Sequence, residues 1–289
     1  MMKILLLGAN GQLGSDILRK NQGHADITAW QRSDLDITNQ EELRQKLKEQ
    51  SFDVLLNCTS YHNTDHAEKT ADMAFMINAF CVKEMAMICK EKNARFAHIS
   101  TDYVFSHHPH NQPLTESDNP SPLNVYGASK LMGESLAKAA HDNTIIFRVA
   151  SLFGIMGASG KGGNFVETMI RIGREKGQLR VISDQIMSPT STASIAEIIL
   201  KALQMNIPSG IYHTVNSGNA SWYEFAKAII HNAGVNAVVE PMFAADYPSV
   251  AVRPSFSALN NNKLTKYVGT IPSWQEALDS YLREKGYIN

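Results

Sequence analysis

Tyr126 and Lys130 stand four residues apart in Tyr126-Gly127-Ala128-Ser129-Lys130, a spacing that puts both side chains on one face of a helix. A free tyrosine, with a pKa of about 10, is a poor acid–base group near neutrality. A neighbouring ammonium favours the phenolate and draws that pKa down, so Tyr126 is a candidate to protonate the oxygen of a carbonyl that is receiving hydride. About 25 residues upstream lies Ser100-Thr101-Asp102-Tyr103. The Thr101 hydroxyl is suited to bond the same oxygen as it gains charge, with Asp102 beside it at the substrate. Lys130 can also hold the ribose hydroxyls of a cofactor. A tyrosine and a lysine at this spacing are common by chance, so their weight comes from what accompanies them.

The accompaniment begins at the N-terminus. Gly8-Ala9-Asn10-Gly11-Gln12-Leu13-Gly14 follows an apolar run and opens an amphipathic one. Gly8 permits the tight turn, Gly11 lets backbone approach a pyrophosphate, and Gly14 allows close packing of helix on strand. The N–H groups of the helix start, around Gln12 and Leu13, face the phosphates with the positive dipole end. Dinucleotide sites commonly place a carboxylate at the end of the second strand for the ribose 2′-hydroxyl. Here the segment ends Trp30-Gln31-Arg32, and Arg32 is suited to a 2′-phosphate. The expected cofactor is therefore NADPH, with NADH the alternative. Asp36 and Ile37, slightly later, are candidates for the edge and face of the adenine ring.

The elements that must position these groups are legible. KILLLG (3–8), DITAW (26–30), DVLLNC (53–58), RFAHIS (95–100) and TIIFRV (144–149) are short, continuous apolar runs. Helical patterns at Gln12–Arg19, Gln40–Glu49, Ala74–Glu91 and Ala128–Ala140 separate them. Apolar strands alternating with helices imply a parallel sheet covered on both faces, here an α/β Rossmann-like doubly wound sheet. Beyond about residue 150 the alternation loosens through the glycine-rich GIMGASGKGGNF (154–165). The expected division is a cofactor domain over 1–150, rejoined by 187–206 through a helix at Ser191–Gln204. A smaller C-terminal α/β substrate-binding lobe is expected from 151–186 and 207–289. YHTVNS (212–217), SWYEFAKAIIHNAG (221–234) and SWQEALDSYLREKG (273–286) are assigned to that lobe. The last two open with serine and an acidic residue three positions on, a capping-box pattern. Trp222, Tyr223 and Trp274 read as core aromatics of the lobe.

A composition of 44% hydrophobic and 19% charged residues is ordinarily globular, and a formal net charge of −1 gives no field for nucleic acid or anionic membrane. No apolar run reaches the roughly 18 residues of a membrane span. Cys58, Cys81 and Cys89 show no CxxC or metal spacing, which favours reduced thiols in a cytoplasmic protein. No spacing proposes a metal site, and HHPH at 107–110 reads as a solvated loop. A homodimer is compatible with the sequence.

The glycine cradle, the strand-ending STD and YxxxK together resemble the extended short-chain dehydrogenase/reductases. STDYVF, SPLNVYGASKLMGE (121–134), NFVETMIR (164–171), SDQIMSPT (183–190) and Val252-Arg253-Pro254 narrow this to a resemblance, over nearly the whole chain, to the dTDP-4-dehydrorhamnose reductase family. The resemblance implies hydride transfer from NAD(P)H to C4 of a dTDP-4-keto-6-deoxyhexose, in the making of activated sugar for polysaccharide. It implies Thr101, Tyr126 and Lys130 as the catalytic trio and aligns Ser60, Tyr61 and His62 with a cofactor-contacting stretch. Asn164 and Arg253 fall in motifs lining the nucleotide-sugar cleft.

Two departures fall at the sugar. His62 stands where the family pattern has a small threonine, and Ser151 stands where it has a tryptophan, which removes a large apolar contact. Related 4,6-dehydratases need an acid and a base after the threonine, whereas here Tyr103 follows Asp102. A 4-epimerase would share the fold but is expected to carry a serine-rich run before its Val-Tyr-Gly. A non-catalytic, NADP-binding regulatory subunit could retain Thr101, Tyr126 and Lys130 unchanged.

Overall fold

The computed structural model describes residues 1–106, 112–156 and 163–288. The HHPH run and half of the glycine-rich stretch, 157–162, lie outside the described residues.

Five strands follow the apolar runs: β1 (Lys3–Leu7), β2 (Asp26–Trp30), β3 (Val54–Asn57), β4 (Arg95–Thr101) and β5 (Thr144–Val149). With Gly210–His213 they form one six-stranded sheet in which every pairing is parallel. Its order is β2, β1, β3, β4, β5 and then Gly210–His213. Strands β3 and β5 are buried along their whole length, because helices cover both faces. The chain leaves β1 towards β2 on one side and returns through β3 on the other. That reversal opens a crevice at the carboxyl ends of β1 and β3, where open α/β sheets take ligands.

Helices α1 (Gln12–Lys20) and α2 (Gln40–Glu49) occupy their expected positions. The third helical stretch begins earlier than its pattern, at Ala71, and carries a wider π-type turn at Met76–Phe80 before continuing over Cys81–Glu91. That turn carries the buried Asn78, and such turns recur at functional sites. The Tyr126 helix covers Val125–Ala140, and its Gly133 packs so closely that a Cβ there would lie 2.0 Å from the Asn78 carbonyl.

YHTVNS was expected in the smaller lobe, and the structure corrects this. Gly210–His213 pairs in register with β5 (Tyr212 opposite Phe147), and Tyr212 joins the core beneath the sheet. The unsatisfied edge of β5 and an apolar ring in the core outweigh proximity along the chain. Asn262–Val268 follows it, burying Leu264 and Val268 in the same core. The helix expected at Ser191–Gln204 runs from Thr192 to Gln204 with Ser191 as its cap and packs on α1.

A second core gathers Phe153, Val166, Phe225, Trp274, Tyr281 and Leu282. It is built on the helices Phe165–Lys176, Trp222–Asn232 and Trp274–Glu284 and the parallel pair Gln178–Ile182 with Val238–Met242. Both capping boxes are formed, Ser221 with Glu224 and Ser273 with Glu276. Among the described residues no helix is long and apolar enough to cross a membrane.

Candidate active site

Gly8 takes φ +78°, and a Cβ there would stand 3.0 Å from the backbone of Cys58, so β1 and β3 approach as only glycine allows. A Cβ on Gly14 would meet the Gly8 carbonyl at 2.3 Å. Gly11 caps α1 without a side-chain bond, leaving the first-turn N–H groups free of a side-chain cap and facing the crevice. This cradle is one end of a cleft of about 590 Å³ whose walls include Gly8, Gly11, Gln12, Leu13, Gly14, Arg32, Asp36 and Ile37. Ser60, His62, Thr101, Asp102, Tyr103, Tyr126, Lys130, Ser151 and Trp222 line the same cleft. The volume and the donor set fit a dinucleotide with a second ligand beside it.

At the adenosine end Arg32 is 83% exposed and pairs with Asp36 at 3.2 Å. Asp36 also accepts from the Thr38 hydroxyl at 2.7 Å and the Thr38 N–H at 3.0 Å, bonds that hold its carboxyl below the ordinary range. Its carboxylate thus serves first to shape the loop, while Arg32 retains an open guanidinium towards solvent.

At the other end β4 delivers Thr101, whose hydroxyl donates to Asp102 Oδ1 at 3.0 Å and accepts from the Tyr103 N–H. Asp102 is buried, and Ser257 donates to its other oxygen at 2.6 Å. Burial pushes its carboxyl up to about 6, against the pull of the Ser257 and Thr101 bonds. Asp102 is therefore braced from behind by the C-terminal segment.

The Tyr126 hydroxyl bonds the side chains of Thr101 and Ser60. Burial pushes the phenol up to about 12, with Asp102 adding to the rise and the two hydroxyl bonds opposing it. This reverses the expectation of a phenol depressed by Lys130. The two side chains share a helix face, but Lys130 Nζ is drawn to the Ile99 carbonyl at 2.6 Å and to His98 Nε2 at 3.0 Å. Burial lowers Lys130 itself to about 8, with Glu134 and Cys58 opposing. Glu134 is largely engaged elsewhere, in a bidentate pair with buried Arg148 at 2.9 and 2.6 Å and with the Ser100 hydroxyl.

Three expected site residues are differently occupied. The Tyr61 hydroxyl turns to His66 and Thr70, leaving Ser60 and His62 to line the cleft. Asn164 caps the Phe165–Lys176 helix through Glu167 N–H, and its amide donates to Gly154 O at 2.7 Å and Tyr281 Oη at 3.0 Å. Arg253 pairs with Asp65 at 2.8 Å and bonds Tyr103, so it backs the cleft through Tyr103. In each case a nearer internal partner satisfies a polar group that the motif alone leaves open.

A family model described as the RmlD substrate binding domain matches residues 2–286, almost the entire chain. The chain belongs to the dTDP-4-dehydrorhamnose reductase family. It is 36% identical to the spore coat polysaccharide biosynthesis protein SpsK of Bacillus subtilis, covering 99% of this chain and 98% of that protein. The solved dTDP-4-dehydrorhamnose reductase of Clostridium acetobutylicum shares 36% identity at a TM-score of 0.91, over 99% of this chain and all of that one. The Bacillus anthracis reductase, solved in complex with NADP, matches equally well: 36%, TM-score 0.91, 98% and 99% covered.

Within this family frame, several working residues escaped the sequence reading. Asn78 accepts from the Tyr61 N–H at 2.8 Å, and its amide donates to Tyr61 O at 3.1 Å and Ser129 Oγ at 3.0 Å. It thereby fastens the Ser60–His62 loop to the Tyr126 helix. His98 was the one legible signal, a polar residue between the apolar Phe96-Ala97 and Ile99 of β4. Trp222 packs against the lobe core as expected and also lines the cleft: half-buried, it rests on Phe165 with ring centroids 4.7 Å apart. It lines the same cleft as Ser151, which adopts φ +42°. An aromatic from the lobe thus shares the cleft in which the tryptophan of the family pattern is missing.

Proposed function

We propose that this protein reduces the C4 carbonyl of a dTDP-4-keto-6-deoxyhexose, dTDP-4-dehydrorhamnose or a close relative, with NADPH. The observation that carries the reading is a single cleft that joins a glycine phosphate cradle to the hydroxyls of Thr101 and Tyr126 and the amine of Lys130. Bound there, NADPH supplies the hydride that adds to C4 while the carbonyl π pair moves onto oxygen.

The chain's own groups supply the rest. The first-turn N–H groups of α1 hold the pyrophosphate, and Arg32 receives the 2′-phosphate. Thr101 and Tyr126 converge on the carbonyl oxygen. A phenol that retains its proton is the right resting state for a general acid in the reducing direction, and Tyr126 gives that proton to the oxygen as charge develops. Lys130, one turn along the same helix, stabilises the phenolate that remains. Asp102, buried and braced by Ser257, holds the Thr101 hydroxyl in place.

Relatives named for rhamnose-nucleotide reduction and spore coat polysaccharide biosynthesis support a product destined for polysaccharide. Three free cysteines support action in the reducing cytoplasm. The test is NADPH oxidation followed by absorbance with dTDP-4-keto-6-deoxy-L-mannose, with Tyr126→Phe alongside. Turnover lost in the variant sustains the proposal; binding of NADPH without turnover of any 4-keto sugar nucleotide removes it.

A further inference from the structure

Behind Lys130 lies a buried row of polar groups that the reaction above leaves unused. Asn57, at the end of β3, stands in register with His98 of β4, and both are fully buried. Asn57 Nδ2 lies 3.1 Å from His98 Nδ1, and His98 Nε2 lies 3.0 Å from Lys130 Nζ. The imidazole is stacked on Phe96, its plane tilted by 13°.

The proton positions along this row follow from one backbone group. Thr59 N–H, which can only donate, points at the Asn57 side chain at 3.0 Å, with the Thr59 hydroxyl at 2.6 Å on the same atom. That atom must be the carbonyl oxygen, because an amide NH2 there would oppose the Thr59 N–H, whereas the hydroxyl can adapt to either. Asn57 therefore turns its NH2 towards His98 Nδ1, which must accept. A neutral imidazole that accepts at Nδ1 carries its proton on Nε2. That N–H points at Lys130 Nζ, which can receive it only with a free lone pair. An ammonium there would need Nε2 as acceptor, and so an Nδ1–H facing the Asn57 NH2, two donors in a dry site.

We propose that Asn57 and His98 are positioning residues for Lys130: Asn57 locks His98 as its Nε2–H tautomer, and His98 holds the resting lysine as a neutral amine. The inference rests on reading Lys130 as the catalytic lysine. The groups around the amine agree with it. On its own helix Glu134 is consumed by Arg148 of β5 and by Ser100, and Tyr126 keeps its proton. From the β3 side Cys58 is a thiol that burial pushes up to about 12, and the Asp102 carboxyl beyond β4 is taken by Ser257 and Thr101. Burial alone already holds His98 below its ordinary value, so it does not compete for the proton. Lys130 itself is lowered to about 8 by burial, before the donor conflict at Asn57 adds to the effect.

The consequence is that Lys130 must gain a proton before it can stabilise the Tyr126 phenolate, so catalysis should fail towards alkaline pH earlier than an ordinary lysine would dictate. Asn57→Asp reverses the lock. With acceptor oxygens on both sides, His98 must carry its proton on Nδ1, and Nε2 then accepts from an ammonium.

Two-bond proton–nitrogen NMR of the ligand-free protein reads the tautomer directly, with His98 assigned by loss of its signals in His98→Gln. The expected result is Nε2–H in the natural protein and Nδ1–H in Asn57→Asp. Alongside, the alkaline limb of kcat/KM for NADPH should move up by about one pH unit or more in Asn57→Asp. Nδ1–H in the natural protein overturns the proposal even if the variant fails to fold, and so does an alkaline limb that stays in place in a folded Asn57→Asp. An Nε2–H signal in a protein that turns over no keto sugar sustains the lock and removes the reductase reading instead.

Discussion

Ser257 donates its hydroxyl to Asp102 Oδ2 at 2.6 Å, tying the C-terminal segment to the turn that presents Thr101. The bond offsets part of the cost of burying a carboxylate, yet the Asp102 carboxyl still sits at about 6, above its usual value near 3.8. A group whose pKa is raised by folding binds its proton more tightly in the folded chain. Between pH 4 and 6 the folded state then holds more protons than the unfolded one, and stability falls as pH rises through that window. The contribution is on the order of 2–3 kcal/mol. Thermal unfolding of Asp102→Asn should lack this component, so the difference in Tm between variant and natural protein should shift in the variant's favour from pH 4 to pH 6. A difference independent of pH would show that Asp102 ionises normally.

Tyr126→Phe keeps the ring against Tyr103, whose centroid is 6.0 Å away, and removes the proton donor. The expected loss in kcat is ~10²–10⁴-fold, with NADPH binding by fluorescence titration little changed. Loss of binding instead would assign the phenol to the cofactor.

Gly14→Ala puts a methyl group 2.3 Å from the Gly8 carbonyl and 2.9 Å from Ala9 Cα. Backbone cannot yield there cheaply, so a cost of about 1–3 kcal/mol in stability is expected, with NADPH affinity reduced tenfold or more. Calorimetry and fluorescence titration read the two effects separately.

Arg32→Ala removes an exposed guanidinium whose partner, Asp36, is independently held by Thr38. The loop should keep its shape. Steady-state kinetics should show KM for NADPH raised about tenfold and KM for NADH unchanged or lowered, since only the 2′-phosphate loses a partner. An equal effect on both cofactors would mean that Arg32 acts on the loop.

Trp222→Ala opens the cleft wall and removes one of the two rings against Phe165, which keeps its stacking on Phe225. An aromatic that packs on the sugar is worth about 1–2 kcal/mol, so KM for the nucleotide sugar should rise roughly 5- to 30-fold while KM for NADPH holds. A change confined to Tm would return Trp222 to the lobe core.

The parallel sheet, the cradle and the trio of Thr101, Tyr126 and Lys130 were legible because each is written in local spacing. Continuous apolar runs specify buried parallel strands, and glycines specify where backbone must come close. A four-residue interval specifies a shared helix face. The same local rules failed for YHTVNS, whose short pattern does not reveal that β5 offers it an open edge. They failed also for Asn164 and Tyr61, whose motif positions were read correctly while their side chains found partners in Tyr281 and Thr70.

What the sequence determined by itself is therefore the architecture and which groups meet in the cleft. Only the tertiary structure decided their states. Lys130 is held by His98 and the Ile99 carbonyl because β3 and β4 bring Asn57 and His98 beside it, and Tyr126 keeps its proton because the cleft buries it. Asp102 is braced by a serine 155 positions away, and Trp222 enters the cleft from another core. Burial and partnership are properties of residues far apart in the chain, and they come into being only when the chain has closed on itself.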